Sequence, residues 1–360
     1  MAEGQIDVAA VEAAVADFKD PESGRGILKF EQIKDIQIAD SQLSLTLALT
    51  TWSAPLWKET QDAVEEKLRV AFPQLTSVSV KLAVQERPPQ KMGEIGLTAK
   101  SVIAIGSGKG GVGKSTIAAC LAFALKRAGC QVGLLDSDVY GPSIPHLLGV
   151  RDRAVVEGER LLPIVKDGMP VMSMGLLVPE DEAVIWRGPM LHGALTQFLR
   201  DTAWGDLDYL IIDMPPGTGD LALTLSQLLP LTGAIVVCTP QDVALLDAVK
   251  AIAMFRKVNI PVLGVVENMS GFVCTDCGKH HDIFGSGGAR RRAEELNVPF
   301  LGDLPINLQV REHGDEGKTE ANLDDPSVAS GLESICHKLV KNLAVSSAQS
   351  PPKVQLPVLG

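Results

Sequence analysis

Between Gly106 and Thr116 the chain reads Gly-Ser-Gly-Lys-Gly-Gly-Val-Gly-Lys-Ser-Thr. From Gly108 through Gly110, Gly111, Val112 and Gly113 to Lys114 and Ser115, this fits G-x-x-x-x-G-K-[ST]. Such a loop turns its backbone N–H groups inward around phosphate oxygens, and the glycines permit the turn. Lys114 is expected along the β and γ phosphates of ATP. The Ser115 hydroxyl is expected at a Mg2+ ion, with Thr116 closing the binding set. The helix over 115–127 adds the positive end of its dipole. Lys109 is a second lysine early in the same loop, ahead of Gly110-Gly111.

Three more polar groups follow apolar runs. The strand expected over 131–135 ends in Asp136-Ser137-Asp138, and the apolar run 209–212 ends at Asp213. Four apolar residues closing on an aspartate suit a carboxylate that holds Mg2+ through water. After Asp213 comes Met-Pro-Pro-Gly217-Thr-Gly219-Asp220, in which two glycines let a switch loop move when the γ-phosphate leaves. Asp220 reads equally well as a plain helix cap. Asn268 follows the run 262–266, and its amide offers both a donor and an acceptor.

The pair Cys274-Thr-Asp-Cys277 is a metal or redox signal of a different kind. A C-x-x-C takes zinc, an iron–sulfur cluster or a redox disulfide. A redox pair belongs at a helix start, whereas this one lies in a polar, glycine-flanked loop. A closed zinc site needs two further ligands. The adjacent His280 and His281 lack the usual H-x₃₋₅-H spacing, although a structural zinc loop stays open as the alternative. The other solution pools two thiolates from each of two chains. Four thiolates then suit a [4Fe–4S] cluster between subunits. Cys120, Cys130, Cys238 and Cys336 stand singly in apolar stretches and read as small core residues.

The elements that must position these groups have two textures. Over 1–87, Val8, Val11, Val15 and Phe18 recur at helical spacing, and Leu43, Leu45, Leu47 and Leu49 alternate as a strand. Pro55 opens a second helix along Leu56, Thr60, Val64, Leu68 and Phe72, and Val78, Val80 and Leu82 alternate again. That order describes a small α+β domain. Residues 88–100, with Pro88-Pro89 at their start, read as a linker. Over 101–345, short apolar runs at 102–105, 132–135, 209–212, 234–238 and 262–266 alternate with helical stretches. They predict an α/β domain with a mostly parallel sheet covered by helices. A last helix is expected over 328–343 and a mobile tail over 346–360.

Composition narrows the function classes. Of 360 residues, 46% are hydrophobic and 21% charged, which excludes a disordered chain, and no apolar run approaches the length of a bilayer span. A net charge of −11 argues against nucleic acid as a partner. The opening residues lack a basic stretch followed by an apolar core, so the expected location is the cytoplasm, with no membrane partner.

The K-G-G-V-G-K-S-T form of the loop resembles the deviant phosphate-loop motif of the MinD, ParA, nitrogenase-reductase and arsenite-pump ATPases. In that group the early lysine reaches across a homodimer to the partner's nucleotide. The resemblance therefore implies a trans role for Lys109, a water-positioning role for Asp138 and an adenine-reading role for Asn268. It sets Asp136 nearer the metal shell. Taken with Pro88-Pro89-Gln-Lys-Met, Trp186-Arg-Gly-Pro-Met190, 213–220, Glu267-Asn-Met-Ser270, the C-x-x-C and Gly302-Asp-Leu-Pro305, the chain resembles the Mrp/ApbC family of iron–sulfur cluster carrier ATPases. Residues 1–87 resemble the small iron–sulfur assembly domain fused to many members. Where that domain often carries Cys-Pro, this chain has Ala54-Pro55, so the resemblance leaves cluster binding to Cys274 and Cys277. The family implies an ATPase that holds a [4Fe–4S] cluster at a homodimer interface and passes it from a cluster donor to apo client proteins. A spatial-organising ATPase of the MinD/ParA type with a structural zinc loop is the alternative. Its membrane-attached members need a basic amphipathic terminal helix, and the Ser- and Pro-rich stretch 346–352 is not one.

Overall fold

The computed structural model describes residues 6–93, 95–138, 141–176, 188–217, 219–274 and 277–349. Trp186, Arg187, Thr218, Thr275 and Asp276 of the sequence motifs lie outside the described residues. The described chain forms two compact units, one of 6–87 with 340–349 and one of 88–339.

In the first unit, α1 (Val8–Val15) begins at Asp7, whose carboxylate accepts the Ala10 N–H at 2.8 Å. Two antiparallel strands follow, β1 (Ile33–Ala39) and β2 (Gln42–Leu49). A 3₁₀ turn over Thr51–Leu56 contains Ala54 and Pro55, so α2 (Trp57–Ala71) starts two residues past the proline expected to open it. The strand β3 (Ser77–Val84) then pairs parallel with β2. The alternating leucines of β2 turn Leu43, Leu45 and Leu47 onto Val11, Val15, Val64 and Leu68, which is the core of this unit.

The second unit is built on a ten-stranded sheet. In chain order its elements begin with β4 (Lys91–Met92), β5 (Leu97–Gly106), α3 (Lys114–Ala128), β6 (Val132–Asp136) and α4 (Ile144–Leu147). A hairpin of β7 (Val155–Glu157) and β8 (Arg160–Leu162) stands apart, before β9 (Ile164–Lys166) and β10 (Met169–Ser173). Then come α5 (Gly188–Asp201), β11 (Leu207–Asp213), α6 (Gly219–Leu228), β12 (Gly233–Cys238), α7 (Asp242–Lys257) and β13 (Val262–Val273). The unit continues with β14 (His280–His281), α8 (Gly288–Glu295), β15 (Phe300–Ile306) and α9 (Leu308–Asp315). The helix α10 (Pro326–Gln349) is divided between the two units.

The sheet order is β14-β13-β12-β5-β11-β6-β10-β9, with β15 also on β13 and β4 on β5. Pairing is parallel from β13 to β10 and between β13 and β15; β4, β9 and β14 are the antiparallel additions. Every residue of β6, β11 and β12 is buried, as strands covered on both faces must be. The Ala-rich α3 is buried nearly all round, and Cys120 is one of its core positions.

Two boundaries differ from the sequence reading. Leu97 and Ala99 are buried and pair with Met92 and Leu207, so the sheet starts inside the stretch 88–100 read as a linker. The final helix runs on through Gln349, where a tail was expected from 346. Ser346 donates its hydroxyl back to the Asn342 carbonyl at 2.9 Å, a contact compatible with helix.

Candidate functional site

The strands β5, β6, β11 and β13 run parallel, and their carboxyl-terminal parts with the loops that leave them carry the polar residues of interest. Ligands bind at the carboxyl ends of strands in such sheets. The phosphate loop runs from the end of β5 to α3. Gly111 (φ 77°) and Gly113 (φ 78°) take left-handed backbone conformations that other residues adopt only with strain. Gly108 is required by space: a Cβ there would lie 2.1 Å from the Asp247 carbonyl oxygen of α7. The loop opens on a cavity of about 620 Å³. Its walls include Lys109, Gly110, Gly111, Gly113, Lys114, Ser115 and Thr116, joined by Asp138, Ser143, His146 and Pro216.

Lys114 and Asp213 meet beneath that cavity as a buried ion pair, bonded through Asp213 Oδ1. Lys114 Nζ also donates to Ser115 Oγ at 3.2 Å. Asp213 Oδ2 is buried and, among the described residues, has no hydrogen-bond partner, which is costly for a carboxylate oxygen. Burial pushes the Asp213 carboxyl above its usual range, against the pull of Lys114. An unpartnered carboxylate oxygen beside a serine hydroxyl is a donor set that a hard, oxygen-seeking cation such as Mg2+ fits.

The carboxylates after β6 have separate tasks. Asp138 lines the cavity, and its Oδ1 accepts the Gly141 N–H at 3.2 Å. Asp136 is fully buried. Its Oδ1 accepts the Asp138 N–H at 3.0 Å, while Oδ2 accepts the Ile144 N–H at 3.1 Å and the Ser173 hydroxyl at 3.2 Å. Burial first, and then the Asp213 charge, raise its pKa to about 7. Asp136 thus shapes the loop that presents Asp138. On the β11 side, Gly217 N–H donates to the Ser107 carbonyl at 3.1 Å, tying the glycine-containing loop to the phosphate loop. Asp220 lies in the first turn of α6.

Asn268 is placed on the phosphate loop itself. Its Nδ2 donates to the Val112 carbonyl at 2.9 Å, and a Cβ on Gly113 would stand 2.3 Å from that nitrogen. The residue before it, Glu267, escaped the sequence reading except as part of a motif. It is fully buried and accepts three hydrogen bonds, from Ser270 Oγ (2.6 Å), Gly287 N–H (2.7 Å) and Ala289 N–H (2.6 Å). The available signal was a glutamate directly continuing the apolar run 262–266, where only a satisfied carboxylate can be buried.

The cysteine pair sits at the tip of a hairpin. Phe272 and Val273 of β13 pair with His281 and His280 of β14, and the turn between them is closed by Gly278 N–H on the Cys274 carbonyl at 2.9 Å. Cys274 is half-buried and Cys277 exposed. The His280 ring packs on Gly271, where a Cβ would meet its Nε2 at 2.4 Å, and His281 lies against Phe272 at 6.4 Å between ring centres. Among the described residues, no group of three or more His, Cys, Asp or Glu side chains is placed to hold a metal ion. The remaining cysteines, 120, 130, 238 and 336, are all buried; burial pushes the Cys120 and Cys238 thiols up to about 12.

Comparison with known proteins adds a family to this geometry. A family model described as the NUBPL iron-transfer P-loop NTPase matches residues 98–343, and one described as an iron–sulfur cluster assembly protein matches residues 8–82. The iron–sulfur cluster carrier protein of Deinococcus radiodurans is 43% identical over 349 residues, spanning 96% of this chain and 98% of that one. That of Escherichia coli is 41% identical over 341 residues, spanning 93% and 90%. Among solved structures, a nucleotide-binding protein of Archaeoglobus fulgidus in complex with ADP superposes with a TM-score of 0.57 at 39% identity, covering 64% of this chain and 91% of that one.

Proposed function

The chain belongs to the NUBPL iron-transfer P-loop NTPase family, and from that premise we propose that it is an ATP-hydrolysing carrier of an iron–sulfur cluster. The observation that carries the nucleotide half is the buried Lys114–Asp213 pair, whose Oδ2 has no hydrogen-bond partner among the described residues, under a glycine-lined cavity. Without nucleotide the two charges neutralise each other. ATP phosphates draw Lys114 out along the loop; Asp213 and Ser115 would then hold Mg2+, which would supply positive charge to the phosphates. Asp138, in the cavity wall, orients the attacking water. The loop amides of Gly110, Gly111, Val112 and Gly113 bind the phosphates, Thr116 supports the loop, and Asn268 serves the adenine edge. Lys109 reaches the nucleotide of a second copy, bringing a cation to the transition-state charge. Its replacement by alanine leaves binding intact and abolishes hydrolysis; full turnover in that variant overturns the trans role.

The cargo half rests on Cys274 and Cys277. Half-buried Cys274 and exposed Cys277 lie on one hairpin, and two thiolates are half of the set that a cubane cluster takes. A homodimer supplies the other half, and the cargo is a [4Fe–4S] cluster received from a donor and delivered to apo client proteins in the cytoplasm. The iron–sulfur cluster carrier relatives support this reading. Ala54, buried in its 3₁₀ turn, brings no thiol to the assembly-type unit.

Anaerobic reconstitution with iron and sulfide tests both halves. The wild-type protein should hold about four irons per two chains, and Cys274→Ser or Cys277→Ser, which leaves two thiolates at the shared site, should lose them. Lys114→Ala should retain the cluster and lose ATP hydrolysis. A colourless protein with stoichiometric zinc from iron-replete cells would return the chain to the organising-ATPase reading.

A further inference from the structure

The strand β13 links the two halves of the proposed function physically. Asn268 grips the phosphate loop, and six residues later Cys274 begins the cargo turn. Between them the strand does not run straight. Its pairing with β15 matches Asn268 to Leu304 but Phe272 to Ile306, so four steps on β13 face two on its neighbour. The surplus forms a bulge over 269–271. Met269 (φ 59°) and Gly271 (φ 71°) both take left-handed conformations there. A bulge re-aims the strand beyond it, and a left-handed methionine persists only where its surroundings over-determine it.

Glu267 supplies that determination. Through Oε1 it holds Ser270, inside the bulge on the outgoing limb. Through Oε1 and Oε2 it holds Gly287 and Ala289, at the start of α8 on the returning limb. The two limbs are also joined by Gly271 N–H to the Gly285 carbonyl at 3.2 Å. The three Glu267 bonds are short, at 2.6–2.7 Å, and two of their donors lie at the N-terminal end of α8. The Met269 side chain reaches back, its Cε 3.8 Å from where a Cβ on Gly113 would stand. A displacement of the phosphate loop at Val112 or Gly113 therefore meets Asn268 and Met269 at once. Both limbs of the cysteine hairpin hang from the carboxylate one residue away.

We propose that Glu267 is a positioning residue that transmits the nucleotide state of the phosphate loop to the Cys274–Cys277 turn. This rests on the nucleotide-binding reading above but needs no cluster to be present. A rigid Glu267 anchor converts movement of the loop into movement of the whole hairpin; a slack one lets the bulge absorb it.

The test is the alkylation rate of Cys277 in the cluster-free protein, read by peptide mass spectrometry with N-ethylmaleimide. MgATP or MgADP should slow the wild-type reaction by at least about fivefold, the low end of measured couplings between sites. Glu267→Gln keeps the shape but turns an amide N–H toward a backbone N–H. It should bind MgADP within about twofold of wild type and lose most of the nucleotide effect, as expected when a coupling term is removed without a binding term. Ser270→Ala keeps the carboxylate and frees only the outgoing limb. It provides a second reading if Glu267→Gln does not fold, and it should show a reduced effect. Wild-type protection in a folded Glu267→Gln, or in Ser270→Ala should Glu267→Gln not fold, overturns the proposal. So does a wild-type protein that binds MgADP with no change at Cys277. A wild-type protein that fails to bind MgADP overturns the nucleotide reading instead.

Discussion

Asp136 shows how a single carboxylate can be costly to the fold and still be required by the site. Its pKa stands at about 7 in the folded chain against 3.8 for an unperturbed group. An acid whose folded pKa is raised adds stability that is complete below pH 4 and lost as pH climbs toward 7. The amount is on the order of a few kcal/mol, at about 1.4 kcal/mol per unit. Asp136→Asn removes the titration but keeps an oxygen for one of the N–H donors. Denaturant midpoints of the nucleotide-free protein should therefore fall from pH 5 to pH 8 more steeply in wild type than in the variant. Parallel profiles would mean that Asp136 titrates elsewhere. At this scale the turn of the phosphate loop was readable because glycine, lysine and serine at fixed spacing admit few other uses. Glu267 was marked only as a carboxylate continuing an apolar run, because a sequence does not show the three N–H and O–H groups that will surround it.

The strands explain why the site residues converge. Asp213 ends β11, between β5 and β6, so the phosphate loop and the Asp136–Asp138 segment leave from strands on either side of it. Ile211, fully buried two residues earlier, lies on the same strand and pairs with Ile103 and Leu134. Ile211→Ala should destabilise the protein by about 2–5 kcal/mol, as large-to-small core changes do. Because Asp213 shares its strand, MgATP should also rescue the variant's melting temperature less than that of wild type. An equal nucleotide shift in both would separate the strand's packing from the site. The apolar runs that mark β5, β6, β11 and β12 were plain in the sequence, since burial on both faces leaves no room for alternation. The second half of β13 was hidden. Glu-Asn-Met-Ser-Gly has no apolar run to extend the strand, and the Glu267 bonds with the pairing to β12, β14 and β15 keep it in the sheet.

At the scale of the whole molecule, α10 does not respect the boundary that the sequence suggests. Its residues through Leu339 belong with the nucleotide-binding unit, and those from Val340 onward belong with 6–87. Val340 and Leu343 are buried. A chain lacking 1–87 but keeping 340–349 should expose those side chains, bind more of a dye such as ANS and precipitate sooner than one cut after Leu339 as well. Identical behaviour of the two truncations would mean that the last turns of α10 need no partner. The same division has a consequence for synthesis. The unit that leaves the ribosome first lacks its closing helical turns until roughly 250 further residues have been added. At 5–20 residues per second that is a wait of roughly 10–50 s. During it, the opening strands and helices must survive incomplete, or be sheltered, while an entire nucleotide-binding sheet is translated behind them.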